Sequence, residues 1–332
     1  IGVSAIGMIL FTSRPVGDAM ATTIWGTASS WTLTALPLFV WMGEILFRTK
    51  LSENLFKGLS PWMQKLPGGL IHVNVIGCAL FAAISGSSAA TVATVGKMSI
   101  PELRKRKYPE KILLGSLAGS GTLGLLIPPS IILIIYGVAV QESIAKLFIA
   151  GIIPGIMIAL IFMSYVIIWS LINKKEMPII LEEYSFLEKI KRSRQLLPVI
   201  ILISSVIGSI YTGIATATEA ASLGVVGALL LSFFQKTLTI DTFKSSLLGA
   251  TKTSCMIAFI LAGSTFLSLA MGFTGLPRNL AVWIQNMNLS PYVLIFVLMI
   301  FYIILGMFLD GISAVVLTMA IIEPMIRQAG FD

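Results

Sequence analysis

Ten apolar runs divide this chain, and they constrain its fold more than any other feature. They cover residues 1–12, 31–47, 68–96, 112–139, 144–172, 196–213, 218–234, 250–271, 291–309 and 312–326. A membrane-spanning helix needs about 20 predominantly apolar residues, and most of the runs approach that length. Only 11% of the residues are charged, whereas soluble domains carry roughly 25%. Because lipid forces a spanning chain to satisfy its own backbone, the runs predict an all-α polytopic membrane protein.

The formal net charge of +8 comes from basic residues placed between the apolar runs. Nineteen of the 23 Lys and Arg residues fall in segments 48–65, 97–111, 173–195 and 236–252. Basic loops of this kind stay in the cytoplasm, so all four segments are predicted to be cytoplasmic, and nucleic-acid binding is not indicated. The weakly charged loop 272–290 is predicted to lie outside. Cys78, Cys255 and the single histidine, His72, show no spacing typical of a disulfide framework or a transition-metal site.

A Ser/Gly/Thr cluster at residues 81–91 interrupts the apolar run 68–96. Basic segments flank this run on both sides, so both can be cytoplasmic only if the run enters the membrane, turns and returns. The sequence therefore predicts a re-entrant hairpin with its turn near Gly86, where irregular backbone is tolerated. The alternative is a small-residue face that packs against another membrane helix. Segments 17–30 and 239–250 are predicted to be helices at the membrane interface or ordinary loops.

A second interruption lies within the run 112–139. It comprises the glycine-rich stretch 119–124 and the sequence Ile127-Pro128-Pro129-Ser130. Consecutive prolines remove two backbone donors, which predicts a broken helix whose free carbonyls can bind a hard cation. A kinked helix packed by small residues is the alternative. The glycines lack the Lys of a nucleotide-binding loop, so no ATPase element is indicated.

Two parts of the chain resemble each other. Residues 85–89 resemble residues 310–314 at a spacing of 225, and Pro101 and Pro324 follow at similar distances. Two similar units of opposite orientation are typical of secondary transporters. We therefore expect a first inverted repeat at 1–172, a cytoplasmic linker at 173–195 and a second repeat at 196–332. Both ends of the chain fall in or beside apolar runs, so we expect a fragment truncated after the second hairpin.

Four ionisable side chains need separate interpretations. Glu219 could lie at a water boundary, cap the following helix or carry protons, and capping is favoured. Asp310 precedes the second turn, where an intramembrane carboxylate is a functional candidate and an interfacial acid is the alternative. Glu44 is expected to pair with Arg48 at four-residue spacing. His72 is expected to be packed rather than to bind a ligand.

These sequences resemble the large membrane subunit of TRAP (tripartite ATP-independent periplasmic) transporters. The resemblance runs nearly end to end, and its motifs are Pro37-Leu38-Phe39-Val40, Gly43-Glu44, Gly68 to Val75, Ile84 to Ala90, Ile127 to Ser130 and Tyr136-Gly137. One departure is Ala217, where the family usually has Pro. The second Pro-Pro break of the family is absent from this sequence.

The resemblance implies a sodium-driven elevator transporter of the bacterial inner membrane, with two hairpins and two broken helices in its moving domain. It also implies two partners, a small membrane subunit and a periplasmic binding protein that delivers an organic anion such as a C4-dicarboxylate, a 2-oxo acid or sialic acid. No organic cofactor is implied. Carried onto this chain, the first sodium site comprises Ser85, Gly86, Ser87, Ser88, Gly121, Thr122, Pro128, Pro129 and Ser130. The second site, for sodium or substrate, comprises Asp310, Gly311, Ser313, Thr218 and Glu219.

Two other function classes remain as alternatives. A proton-coupled anion carrier without a binding protein would depend on Glu219 or Asp310. A serine-based intramembrane hydrolase would need a Ser paired with a His or Asp at membrane depth. His72 lies 13 residues before Ser85 with no plausible Asp nearby, so an enzyme is not expected.

Overall fold

The computed structural model describes residues 1–11, 15–49, 51–178, 184–286 and 290–331. Every regular element within these ranges is helical. In chain order the α-helices are α1 Gly2–Phe11, α2 Val16–Ala28, α3 Ala35–Phe47, α4 Leu51–Met63, α5 Ile71–Ser85, α6 Ser88–Lys105, α7 Glu110–Gly121, α8 Ile131–Val140, α9 Ile144–Ile172, α10 Phe186–Ser193, α11 Leu197–Tyr211, α12 Ala217–Phe234, α13 Ile240–Thr274, α14 Leu276–Asn286, α15 Pro291–Gly306 and α16 Gly311–Gln328. Short 3-10 helices occupy Trp31–Thr34, Thr122–Leu125, Lys174–Glu176 and Arg194–Leu196.

Four helical stretches of the described chain are long and apolar enough to cross a membrane. They are Ile144–Ile172, Phe186–Tyr211, Ala217–Phe234 and Ile240–Thr274, and a fifth is obtained if α2 and Trp31–Phe47 count as one broken span. The apolar helix α5 has 15 residues, or about 22 Å, which is shorter than the hydrocarbon core of about 30 Å. An all-α polytopic membrane protein is confirmed, whereas the re-entrant placement of the hairpins stays a prediction.

The chain forms two compact units. The first unit comprises Ile1–Thr34, Ile134–Ser143 and Thr253–Asp332, and the second comprises Ala35–Leu133 and Ile144–Lys252. These units group residues by contact and do not follow the order of the two predicted repeats. The division into inverted repeats at 1–172 and 196–332 therefore stays a prediction.

The second unit is built around the helical hairpin α5–α6. The two arms lie side by side, since a Cβ on Gly77 would lie 3.6 Å from the Val95 side chain. Helices α7 and α9 pack against the hairpin, and a buried cluster of Val75, Ala82 and Leu123 contacts Phe162 on α9. At the connection to α7, the Arg104 guanidinium donates to the Glu110 carboxylate at 2.6 and 3.1 Å. These charge-assisted bonds lower the pKa of Glu110 below its usual value.

Helices α3, α11 and α12 form a second layer of this unit. Glycines allow close packing, because a Cβ on Gly224 of α12 would lie 2.5 Å from the sulfur of Met42 on α3. The predicted pair of Glu44 and Arg48 is present at the end of α3. Arg48 also donates to the hydroxyl and carbonyl oxygens of Ser245 at 3.0 and 3.1 Å. The end of α3 is thereby joined to the first turns of α13.

Three basic segments predicted as loops contain helix. Segment 48–65 contains α4, the basic part of 97–111 is largely the end of α6, and linker 173–195 contains α10. Lys and Arg are good helix formers, and cations are favourable at a helix C-terminus. Segment 239–250 is also not a separate interfacial element, because α13 continues without interruption from Ile240 to Thr274. Segment 17–30 does form a helix, α2.

The first unit contains the second helical hairpin, α15–α16. Leu294 and Met325 are buried against each other, and the hydroxyls of Tyr302 and Thr318 lie 2.6 Å apart. Helices α6 and α16 both have 18 residues. Asp310, the N-cap of α16, lies 223 residues after Ser87, the N-cap of α6. Pro101 and Pro324 also lie 223 residues apart.

Candidate ion and substrate site

The turn of the first hairpin is the first part of the candidate site. Helix α5 ends at Ser85, and Gly86 follows in the left-handed region with φ 58°. Ser87 is extended and caps α6, its hydroxyl accepting from the N–H of Ala90 at 3.5 Å. The hydroxyls of Ser85 and Thr91 lie 2.8 Å apart across the turn. The predicted turn at Gly86 is confirmed, because only two residues separate the helices and one has a backbone that favours glycine.

The second part is the break between α7 and α8. Helix α7 ends at Gly121, one 3-10 turn follows, and residues 126–130 form no helix before α8 begins at Ile131. The N–H groups of Leu126 and Ile127 both donate to the carbonyl of Leu123, at 3.1 and 2.9 Å. The buried Ser130 hydroxyl donates to the carbonyl of Leu125 at 2.7 Å. The predicted helix break is confirmed.

Four carbonyls in this break lack a donor among the described residues. The carbonyls of residues 126–129 accept no hydrogen bond from any residue that the structure describes. Pro128 and Pro129 also supply no N–H, so the segment is rich in acceptors and poor in donors. Unwound carbonyls of this kind coordinate cations in broken-helix transporters. Carbonyl oxygens of this kind are suitable ligands for a hard cation such as sodium.

The hairpin turn and the break are in direct backbone contact. A Cβ on Gly86 would lie 2.9 Å from the nitrogen of Ile131 and 3.1 Å from the carbonyl oxygen of Pro129. A Cβ on Gly124 would lie 3.1 Å from the carbonyl oxygen of Ser87, and one on Gly121 would overlap the Val92 side chain. The structure thus brings together the two segments that sequence analysis assigned to one site.

Two further helices of the same unit reach this contact through glycine. A Cβ on Gly43 of α3 would lie 2.9 Å from the carbonyl oxygen of Ile84. On α9, a Cβ on Gly151 would lie 2.7 Å from the carbonyl oxygen of Leu126, and one on Gly155 would lie 2.8 Å from the Ile127 side chain. Sequence analysis did not assign these three glycines to the site. Gly43 belongs to a motif of the family resemblance, whereas the only signal for Gly151 and Gly155 was a glycine within an apolar helix, which is common in membrane proteins.

Ser88 and Thr122 are the remaining residues of the first predicted site, and the backbone nitrogen of Ser88 would lie 3.2 Å from a Cβ on Gly124. Ser88 is the first residue of α6. The Thr122 hydroxyl donates to the carbonyl of Gly119 at 2.7 Å and is exposed. No charged side chain belongs to the turn 85–88 or the break 121–130. Helix ends supply the local polarity, since α5 presents carbonyls where it ends and α6 presents N–H groups where it begins.

In the first unit, Asp310 is a helix cap. Its carboxylate accepts from the N–H groups of Ile312 and Ser313 at 3.2 and 3.4 Å, and the side chain is exposed. Gly311 is the first residue of α16. Ser313 lines a cavity of about 620 Å³ together with Ser4 and Ser264. The other lining residues are apolar or glycine, so hydroxyls are the polar side chains that this cavity offers.

Thr218 and Glu219 belong to the other compact unit. Glu219 forms a capping box, because its carboxylate accepts from the N–H and the hydroxyl of Thr216, both at 2.8 Å. The favoured interpretation of Glu219 as a helix cap is confirmed. Thr218 lies in the first turn of the same helix. The structure does not describe these two residues and Asp310 as parts of one site.

His72 is packed, as expected. Its ring is fully buried, and Nε2 lies 2.8 Å from the carbonyl oxygen of Pro67. No serine hydroxyl in the described part of the chain is hydrogen-bonded to this ring.

Comparison with known proteins identifies the family. The family model described as "Tripartite ATP-independent periplasmic transporter, DctM component" matches residues 1–332. The chain belongs to this family. The DctM component of a C4-dicarboxylate TRAP transporter from Pseudomonas aeruginosa is 31% identical, with 100% of this chain and 77% of that protein aligned. The sialic acid TRAP transporter large permease SiaM of Vibrio cholerae is 30% identical over 99% of this chain and 76% of its own length.

A third relative aligns with this DctM-family chain over a smaller share of its own length. The isethionate TRAP transporter permease DctMQ of Oleidesulfovibrio alaskensis is 28% identical, with 100% of the chain and 52% of that protein aligned. These relatives are named as transporter permeases of bacteria, so this DctM-family chain is a multi-pass transport protein and not an enzyme. The hydrolase alternative is thereby excluded.

Proposed function

We propose that the chain is the transmembrane permease subunit of a sodium-driven secondary transporter that imports a small organic anion. The observation that carries this proposal is the backbone contact between the hairpin turn and the Pro-Pro break. There, the Pro129 carbonyl, which accepts no hydrogen bond from the described residues, lies against Gly86, and Ser85 and Ser87 flank this glycine in the turn. Oxygen ligands of this kind suit a hard cation, and broken helices supply them at ion sites of other carriers.

Sodium is favoured over protons as the coupling ion because of the side chains at this contact. The turn and the break hold serine, threonine, glycine, proline and apolar residues, but no group that titrates near neutral pH. Glu219, the carboxylate of the proton-coupled alternative in this unit, is occupied as a helix cap. Proton coupling would therefore need a carboxylate that the first site does not contain.

The proposed substrate is a small organic anion, a carboxylate in the first instance. Ser and Thr hydroxyls and the N–H groups at helix N-termini are suitable donors for such an anion. Relatives are named for C4-dicarboxylate, sialic acid and isethionate, all of which carry an anionic group on a small organic body. Asp310, Gly311 and Ser313 of the first unit remain the proposed second site, for sodium or for substrate.

The proposal includes the partners and the mechanism of the family. A small membrane subunit would brace the scaffold, and a periplasmic binding protein would deliver the anion at the bacterial inner membrane. The moving domain would carry ion and substrate together in an elevator motion. Bound sodium would offset the charge of the anion, which lowers the cost of moving it through a low-dielectric region.

The test is uptake by the complete transporter in proteoliposomes, with labelled succinate, sialic acid and isethionate as probes. An inward sodium gradient should drive uptake of at least one probe, and a proton gradient alone should not. Ser88→Ala and Pro129→Ala should each raise the sodium concentration for half-maximal uptake, by removing a hydroxyl oxygen and by letting the break close into helix.

The matched control is Ser164→Ala on α9, where the hydroxyl donates to the Leu160 carbonyl at 2.8 Å and is exposed. It should leave the sodium midpoint unchanged. Uptake driven equally well by protons without sodium would establish the proton-coupled alternative instead.

A further inference from the structure

Three buried polar side chains, Asn74 on α5 and Ser116 and Ser120 on α7, join these two helices, and together they are called the polar seam. The side chain of Asn74 on α5 is fully buried. Its amide nitrogen donates to the carbonyl of Leu113 at 3.3 Å and to the hydroxyl of Ser116 at 3.1 Å, both on α7. One side chain therefore binds a neighbouring helix at two points.

The seam continues along both helices toward the site. The Ser116 hydroxyl also donates to Leu113 at 3.0 Å, and the fully buried Ser120 hydroxyl lies 3.5 Å from the backbone carbonyl oxygen of Asn74. Asn74, Ser116 and Ser120 thus form one connected set of hydrogen bonds between two otherwise apolar helices.

Both helices run without interruption from this seam to the site. Helix α5 continues from Asn74 to Ser85, about 16 Å at 1.5 Å per residue. Helix α7 continues from Leu113 to Gly121, about 12 Å by the same rise. A shift of one helix along the other at Asn74 would therefore move the hairpin turn relative to the break by the same distance.

The site tolerates little movement of that kind. A methyl group on Gly86 would overlap the opposite backbone, and one on Gly124 would press against it at 3.1 Å. Ion sites need their ligands held within about 0.5 Å of the productive geometry. Apolar contacts such as those of Val75 and Leu123 are not directional, whereas a fixed set of side-chain hydrogen bonds specifies one arrangement.

The burial of the Asn74 side-chain amide is unfavourable for the free energy of folding. Its Oδ1 has no hydrogen-bond partner within the described residues. A buried acceptor without a donor is destabilising, and an apolar residue of similar volume avoids that cost. An amide retained at such a position is consistent with a role in fixing the arrangement of the helices rather than in maximising stability.

We propose that Asn74 is a positioning residue that sets the register of α5 against α7, and so places the hairpin turn and the Pro-Pro break at the spacing that sodium requires. The inference rests on the proposed function for its sodium part. The register itself is a property of the helix pair and can be measured without sodium.

The experiment uses the complete transporter in detergent, with sodium chloride as the probe and potassium chloride as the reference. Hydrogen–deuterium exchange is followed in peptides covering residues 84–91 and 121–131, and sodium-dependent thermal stabilisation gives a sodium midpoint. Asn74→Leu should accelerate exchange in both peptides in potassium chloride. It should also raise the sodium midpoint by about fivefold or more, while the melting temperature without sodium stays at or above that of the parent.

Two further variants complete the test. Val75→Ala, next to Asn74 and fully buried, should lower the melting temperature without changing the sodium midpoint. Ser116→Ala removes one acceptor of the Asn74 amide. It should accelerate exchange in the two peptides and raise the sodium midpoint, but by less than Asn74→Leu does. If Asn74→Leu does not fold, Ser116→Ala provides the test.

The outcomes separate the two proposals. Parental exchange in both peptides and a midpoint within about twofold of the parent for Asn74→Leu would overturn the positioning role. Accelerated exchange in Asn74→Leu, together with a parent that sodium does not stabilise, would support the register role and overturn the sodium function instead.

Discussion

At Gly43, a single hydrogen atom in place of a methyl group allows α3 to reach the hairpin turn. A Cβ there would lie 2.9 Å from the carbonyl oxygen of Ile84 and 3.1 Å from the Cα of Ser85. Both neighbours are backbone atoms at the end of α5, so a rotating side chain cannot relieve the overlap. Gly115 on α7 offers the opposite case, since a Cβ there would meet no atom within 4 Å.

The two glycines therefore predict opposite effects of the same substitution. Gly43→Ala should lower the free energy of unfolding by about 1–3 kcal/mol through overpacking and should raise the sodium midpoint for uptake, because the displaced backbone belongs to the proposed ion site. Gly115→Ala should raise stability by up to about 1 kcal/mol through helix propensity and leave uptake unchanged. Thermal unfolding in detergent and sodium-dependent uptake measure both. Equal stability of the two variants would contradict the packing described at Gly43.

Asp310 combines a structural role with a proposed functional one, and two substitutions separate them. Asn caps a helix about as well as Asp, whereas Ala at an N-cap costs about 1 kcal/mol. Asp310→Asn should therefore insert and purify normally with stability close to that of the parent, yet impair transport through the lost charge. Raising sodium should partly restore uptake. Asp310→Ala should lose stability as well.

The dependence of the Asp310→Asn defect on conditions decides its origin. A defect that follows pH and ignores sodium would favour proton coupling. Parental uptake by Asp310→Asn at limiting sodium and across pH would make Asp310 a surface cap only, and would remove it from the proposed second site.

At the scale of the elements, the sequence correctly predicted where helices are interrupted, but it did not predict how far several helices extend. The turn at Gly86 and the break at Pro128-Pro129 carry local chemical signals, namely a residue that favours positive φ and two residues without N–H groups. Helices α4 and α6 and the long α13 were missed or cut short because Lys and Arg were taken as signs of loops. Positive charge indicates the side of the membrane, but it does not end a helix.

The contacts of the site lie beyond local sequence signals. Gly43, Gly151 and Gly155 approach the turn and the break from helices that are distant in the chain, and no local pattern identifies such a partner. The seam at Asn74 is similar, since one polar residue in an apolar helix does not reveal which neighbour it binds. Gly86 follows a helix, whereas Gly311 begins one, so the two turns that look alike in sequence are not built alike.

Helix α10 shows that the predicted linker is attached to the second unit. The Trp62 indole on α4 donates to the hydroxyl of Ser193 at 2.7 Å. The rings of Trp62 and Phe186 lie edge to face at 6.2 Å, and the ammonium of Lys189 lies 5.5 Å from the Trp62 ring. Three residues of α10 thus contact one side chain of α4.

This contact predicts that Trp62 holds the linker in place. Trp62→Ala should cost about 1–3 kcal/mol of local stability through lost aromatic and hydrogen-bond contacts, and should speed tryptic cleavage after Lys189, Lys191, Arg192 and Arg194. The control is Trp31→Ala, because the Trp31 side chain is 78% exposed and should leave cleavage unchanged. Limited proteolysis of the purified protein measures both. Parental cleavage kinetics in Trp62→Ala would show that α10 is held by other contacts.

For the whole molecule, charge and contact together determine which segments share a side of the membrane. All four basic segments belong to the second compact unit. Helix α4 in segment 48–65 binds α10 in segment 173–195 through Trp62 and Ser193. Arg48 binds Ser245 in segment 236–252 at 3.0 Å. Segments in direct contact lie on one side, so these contacts support the common location that the positive charge predicts for three of the four segments.

Accessibility measurements test this topology. Single cysteines at Lys65 and Lys107, in a background without Cys78 and Cys255, should react with a membrane-impermeant maleimide only after spheroplasts are permeabilised. Both positions are exposed and lie on either side of the first hairpin, so a re-entrant hairpin places them on the same side of the membrane. Segment 272–290, predicted as a loop outside the membrane, contains helix α14, and a cysteine at its exposed Arg278 should react in intact spheroplasts and serves as the control. Labelling of both test positions from outside would reverse the orientation. Labelling of only one would mean that residues 68–96 cross the membrane once, and the hairpin would then not be re-entrant.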